Sequence, residues 1–221
     1  MPALLHMLPL AVAVAISSVP IMVTLFILLS ANRARSALPF MTGWVVGIAI
    51  AVCLGALLAR AVPTSKTERH ADTALGIAEI VVGFALVGLG IFSWFHSRGK
   101  ESSSGPKWLS SGTKLGPWRS LGLGLLLNAR PKGILLAIAA GLTLQADAKD
   151  PPLAVVAVVL YTIVAASTVA VPIIATSAAP TRMEPRLVSA RGWLARNGHT
   201  LTAVILVLVG LIVVWMGIER L

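Results

Sequence analysis

Asn128, Arg130, Pro131 and Lys132 put an amide, two cations and a helix breaker side by side. They sit within an apolar run, Leu121 to Leu144, that is otherwise long enough to cross a bilayer. A cation at the centre of a spanning helix opposes insertion by roughly 2.5–3.5 kcal/mol. Proline removes a backbone donor and turns the preceding residue away from helix. Interrupted backbone at that depth is tolerated only where protein or a wet cavity surrounds it. The chemistry such a cluster offers is anion binding: a guanidinium, an ammonium and amides left over at a broken helix would receive a carboxylate or a sulfate.

A second interruption lies in the first apolar run, where Ser17 and Ser18 precede Pro20. Their hydroxyls, with carbonyls released near Pro20, would complete a binding site opposite Asn128. Glu79 is the one acid well inside an apolar run. Counting 1.5 Å per residue, Glu79 lies roughly 10 Å below one surface and Lys132 about 21 Å from the other, in a core of about 30 Å. The depths coincide, so Glu79 is expected to pair with Lys132 or Arg130 and is the candidate for proton or charge coupling.

The elements that must position these residues are membrane helices. The chain has 221 residues, 57% of them hydrophobic and 12% charged, and a mean hydropathy of +0.91. Six apolar runs can be drawn: Leu4–Leu29, Leu38–Val62, Ala74–Phe95, Leu121–Leu144, Leu153–Ala175 and Leu201–Ile218. Each approaches or exceeds the roughly 20 residues of a span. The first is too long for an upright helix and is expected to tilt or break, at Pro20. The fold class is therefore all-α, a polytopic membrane protein of six transmembrane helices.

The net charge of +10 does not point to nucleic acid, because the cations fall in short segments between apolar runs. Arg33, Arg35, Arg98, Lys100, Lys107, Lys114, Arg119, Arg182, Arg186, Arg191 and Arg196 lie on one side of a six-span topology. Arg60, Lys66, Arg69, Lys149 and Arg220 lie on the other. The excess marks the inner side, so both termini are expected outside the inner membrane. No Lys or Arg precedes Arg33, so the first run reads as a retained span and not as a cleaved signal.

Residues 97–117 are rich in Gly, Ser and Lys and read as a cytoplasmic linker between residues 1–96 and residues 118–221. Each half then holds three spans, and an odd number inverts the second half relative to the first. Interrupted spans at matching places in two inverted repeats point to a transporter binding site. Residues 179–197, with Trp193 among Arg191 and Arg196, read as a short interfacial helix. Gly43, Gly47 and Gly55 share one helix face and read as a packing face or the seam of a homodimer. Tyr161, Thr162, Ser167 and Thr168 form a polar strip in the fifth run, expected to bond between helices. Trp94, Trp118, Trp193 and Trp215 read as interfacial anchors.

Several chemistries find no support. His6, His70, His96 and His199 never pair at ligand spacing, so no metal is expected. There is no Gly-rich phosphate loop, no catalytic carboxylate pair and no nucleophile elbow, so neither an enzyme nor a cofactor is expected. Cys53 is the single cysteine, which precludes an intrachain disulfide. The expected partners are membrane lipids and a lipid or small-molecule substrate.

The Ser-Pro pattern of the first run, the Gly43-x-x-x-Gly47 opening of the second and Asn128, Pro131 and Lys132 in the fourth resemble the LysE superfamily of small exporters. That superfamily carries Gly-Pro and Asn-Pro-Lys at those places. Here Ser18-Val19-Pro20 replaces the first, and Ala129 and Arg130 interrupt the second. With Asn32-Arg33-Ala34-Arg35, the pattern is closer to the GAP branch, the peptidoglycolipid- or sulfolipid-addressing proteins. The resemblance covers essentially the whole chain. It implies export of a glycolipid or other amphipathic anionic solute. The alternatives are an amino-acid or small-solute exporter of the LysE type, and a non-transporting scaffold of a lipid-export complex.

Overall fold

The computed structural model describes residues 2–59, 68–97, 116–147 and 150–221. Among them every regular element is an α-helix: α1 Pro2–Ala15, α2 Ser18–Leu28, α3 Arg33–Ala59, α4 Glu68–Ser97, α5 Pro117–Leu127, α6 Pro131–Asp147, α7 Pro151–Ala178 and α8 Pro180–Glu219. Pro117, Pro131, Pro151 and Pro180 each open a helix, where the missing N–H costs nothing. The expected linker 97–117 lies almost wholly outside the described residues.

Four helices (α3, α4, α7 and α8) are long and apolar enough to cross a membrane alone. The other spans are broken pairs, α1 with α2 at 45° and α5 with α6 at 62°, which brings the number of candidate spans to six. Leu57, Val81, Ile163, Val171 and Leu211 are each more than half exposed. An apolar surface of that extent is unusual in water and ordinary against lipid.

The first break does not fall at Pro20. It falls at Ile16 and Ser17, and Pro20 sits in the first turn of α2. A first-turn proline removes a donor that has no helical partner anyway, so the chain breaks just ahead of it. The end of α1 is closed from another helix: Thr168 Oγ1 on α7 donates to the Ala15 carbonyl. Thr162 and Ser167 instead bond back to Val158 and Val164 of their own helix. In the second break α5 tightens at its end, with Asn128 and Ala129 donating to Leu125 and Leu126, and α6 starts when Ile134 donates to Arg130.

Packing is reciprocal. α3 lies along α5 and α6, α7 lies along α1 and α2, and α4 pairs with α8 along its length. The Gly43–Gly55 face meets α5 and α6 of the same chain. A Cβ on Gly43 would stand 2.2 Å from the Leu121 carbonyl oxygen, and one on Gly55 2.1 Å from that of Ala137. The face is thus a packing face filled within the chain. The α4–α8 pair repeats the device, Gly83 meeting Gly210. With no side chains between them, backbones approach closely enough for dispersion to hold helices together in lipid.

The expected interfacial helix at residues 179–197 is not a separate element. It is the first half of α8, a continuous rod of 40 residues, roughly 60 Å long, twice the hydrocarbon thickness. Leu187, Leu194 and Gly198 are buried along one face, and the Arg191 guanidinium lies 4.1 Å from the Phe26 ring centre. This packing on α2 carries the helix through the polar sequence. Of the four expected anchors, Trp118, Trp193 and Trp215 are half exposed or more and Trp94 is 36% exposed.

Candidate functional site

The two breaks face one cavity of about 430 Å³. Ser17, Ser18 and Pro20 line it from the start of α2, and Asn128, Arg130, Pro131 and Lys132 from the turn before α6 and its first residues. All seven residues singled out for binding from the sequence therefore meet. The helix starts of α2 and α6 both border the space, and each brings the positive end of its dipole and unbonded first-turn amides. Ser17, the N-cap of α2, makes no side-chain cap bond to those amides.

The polar side chains differ in state. Lys132 Nζ is sealed from solvent and meets no hydrogen-bond partner among the described residues. Trp44 Nε1, also in the wall, is in the same condition. Both are donors in residues that line the same cavity, a polarity that suits a ligand bringing acceptor oxygens. Arg130 is exposed and stands at the rim. Asn128 is buried and donates through Nδ2 to the Gly124 carbonyl at 3.4 Å. Its side chain rests on α3 because residue 47 is glycine: a Cβ there would lie 2.6 Å from Nδ2. Ser18 Oγ lies 2.8 Å from Thr202 Oγ1 on α8, so it ties the broken helix to α8 and does not bond back along its own. Leu89, Leu127, Leu136 and Leu206 supply an apolar wall.

Glu79 is not part of this site, and it pairs with neither Lys132 nor Arg130. It is fully buried, and Arg220 Nε donates to its Oε2 at 2.9 Å. Thr143 Oγ1 is 3.5 Å from Oε1. Thr143 stands eleven residues beyond Lys132 on α6, roughly 16 Å along the helix. The depth count failed because the fourth span is not one upright rod. It turns through 62° after α5, so Lys132 starts a second helix and sits at the opposite end from Glu79. Arg220 also donates through Nη2 to Asp147 Oδ1 at 2.7 Å, and His6 Nδ1 lies 2.8 Å from Asp147 Oδ2.

Trp44, His199 and Thr202 also line the cavity, and reasoning from the sequence missed them. Trp44 carried a signal. It lies well inside the second apolar run, whereas an anchoring Trp belongs at a run's end. His199 and Thr202, at the edge of the last run, were not distinguishable from ordinary end residues.

Among the described residues no group of His, Cys, Asp and Glu could hold a metal ion. Comparison with curated proteins and with solved structures finds no match. The family model for Sap, the sulfolipid-1-addressing protein, matches residues 7–219, a stretch that holds both breaks, the cavity residues and Glu79. This chain, a helical protein with four to six candidate membrane spans, belongs to the SfLAP family of sulfolipid-1-addressing proteins.

Proposed function

We propose that the chain is an inner-membrane exporter that carries the anionic headgroup of an amphipathic lipid through the cavity between its two broken helices. The observation that carries this reading is the Lys132 ammonium, sealed and with no hydrogen-bond partner among the described residues, in the wall of a cavity that Trp44 also lines. A cavity of about 430 Å³ suits a small-molecule ligand, for which pockets run about 300–1,000 Å³. It would take a headgroup, with the acyl chains left in the bilayer. The leucine wall and the exposed Phe92 and Arg130 at the rim fit a ligand that is polar at one end and apolar at the other.

The reciprocal packing supports two inverted three-helix repeats. In each half the second span lies on the broken span of the other half, and the third spans pair. Rocking one half on the other would expose the cavity to each side in turn. The cation distribution supports a reading with the termini outside, in which the cavity lies toward the cytoplasmic side, where a headgroup would load.

The cavity volume equally suits a whole small anion such as an amino acid, which is the second reading. Purified protein in liposomes, offered a labelled sulfated glycolipid, its uncharged counterpart and a labelled amino acid, separates the two. Transport of the sulfated lipid that falls at least tenfold in Lys132→Met supports the headgroup reading. Transport of the amino acid alone favours the second. Transport of none, with crosslinking to a lipid pump in cells, would leave the scaffold role.

A further inference from the structure

At the end of the molecule away from the cavity, four side chains from four helices form one ionic cluster. Glu79 comes from α4, Asp147 from α6, His6 from α1, and Arg220 from the end of α8. Arg220 splits its fork between the two carboxylates, Nε to Glu79 and Nη2 to Asp147. Thr143 of α6 also faces Glu79. Glu219, one residue from Arg220, is engaged elsewhere, accepting from Trp215 Nε1 at 2.8 Å. The cluster lies close to sealed, with side-chain exposures of 0% for Glu79, 7% for Asp147, 15% for Arg220 and 29% for His6.

Its charges do not balance. Among the described residues, two carboxylates against one guanidinium leave a net charge of −1 when His6 is neutral. Burying an uncompensated charge is costly. One further proton brings the sum to zero, and His6, the member most open to water, is the one a proton from outside meets first. An ionised carboxylate only accepts hydrogen bonds, so His6 Nδ1 carries a hydrogen toward Asp147 Oδ2. Nε2 is then the open site for the added proton, on the most exposed member of the group.

The cluster also occupies a mechanical position. Along α4, α6 and α8 the cavity residues Leu89, Lys132 and Thr202 lie ten, fifteen and eighteen positions from Glu79, Asp147 and Arg220, roughly 15–27 Å of helix. Beside the cluster, Leu75, Leu142 and Ala59 pack into a small apolar layer. The cavity can open toward the end carrying both termini only if these helices part there.

We propose that His6, Asp147, Arg220 and Glu79 form a one-proton latch, which a proton on His6 closes and whose loss lets the terminus-bearing end open. In the step hydronium on that side gives its proton to His6 Nε2: one O–H bond breaks, one N–H bond forms, and water is left behind. His6 becomes a full cation against Asp147, and α1 is held to α6 as α8 already is. Loss of the proton restores the net −1, which separation of the helices relieves by admitting water. This inference rests on the alternating-access reading, in which closing one end accompanies opening the other.

The test reads the latch without any substrate. Spin labels are placed at Leu8→Cys and Ile77→Cys, exposed positions on α1 and α4 near the cluster, in a Cys53→Ala background in lipid nanodiscs. Pulsed-dipolar distances are recorded from pH 5.5 to 8.5. The expected result is one short distance at low pH and a growing long-distance population as pH rises. The ratio of the two should climb by no more than about tenfold per pH unit, the limit for one proton. His6→Gln should lose the pH dependence. Glu79→Gln makes the cluster neutral without the proton, and it should stay short at both ends of the range. A pH-independent distance in the parent, an unchanged response in His6→Gln, or opening of Glu79→Gln at high pH would each overturn the latch. If one variant fails to fold, the other still decides. A latch that responds in protein unable to move any lipid or amino acid would refute export and leave the latch standing. Export with a rigid terminal end would do the reverse.

Discussion

Replacing Lys132 by Met should make this protein more stable and less able to hold its ligand. The ammonium is sealed from solvent and has no hydrogen-bond partner among the described residues. A buried donor left unsatisfied costs about 1–3 kcal/mol, and more when it is charged. Met keeps most of the apolar stem and removes the donor, so Lys132→Met should gain about 1–3 kcal/mol. For a chain of this length each kcal/mol moves the midpoint by roughly 2–4 °C, which predicts a rise of about 2–12 °C in detergent, followed by tryptophan fluorescence. A ligand that fills the site should reverse the order. At a concentration near a hundred times Kd, a sulfated glycolipid would stabilise the parent by about 2.7 kcal/mol, and Lys132→Met by far less. The uncharged lipid should discriminate little between them. If Lys132→Met melts below the parent without ligand, the ammonium has a partner already and no anion is needed to satisfy it. Equal stabilisation of both proteins by the sulfated lipid would refute the anion site.

Two further outcomes check the frame around the site. Arg220→Met strips the partner from two buried carboxylates and should cost about 3–5 kcal/mol, read as a lowered melting midpoint, and Glu79→Gln in the same chain should recover part of the loss. Gly141→Leu would drive a side chain into the backbone of Gly55, where a Cβ alone already stands 2.2 Å from a carbonyl carbon. Overpacking of this kind costs at least about 1–3 kcal/mol, and the monodisperse peak in size-exclusion chromatography should be lost, whereas Gly88→Ala, with nothing within 4 Å, should elute unchanged.

Much of the candidate site was legible because the signals were local. Asn128, Arg130, Pro131 and Lys132 lie close together in sequence, and cations and a proline in an apolar run have few physical explanations. The first break was legible too, although its position was set by where Pro20 is harmless, inside the first turn of α2. The pairing of Glu79 was not legible. Its partner Arg220 is 141 residues away, at a helix end that looked like a terminal charge. The stripe on Gly43, Gly47 and Gly55 was visible, but not the surface it would meet. A small-residue face fits a second copy and the same chain equally well until the helices are arranged.

By itself, the sequence settled what depends on the solvent and on neighbouring residues: that the chain belongs in a bilayer, where its apolar runs lie, and that two of them cannot remain continuous. Hydropathy and the loss of a backbone donor act within a few residues, and no tertiary contact reverses them. Only the tertiary structure decided that both breaks face one cavity, that Trp44 completes its wall, that α8 runs unbroken through its polar half, and that Glu79 answers to Arg220 at the far end. Those outcomes turn on the bends of 45° and 62° and on which helix faces close against each other. A count of 1.5 Å per residue along a straight rod holds neither quantity.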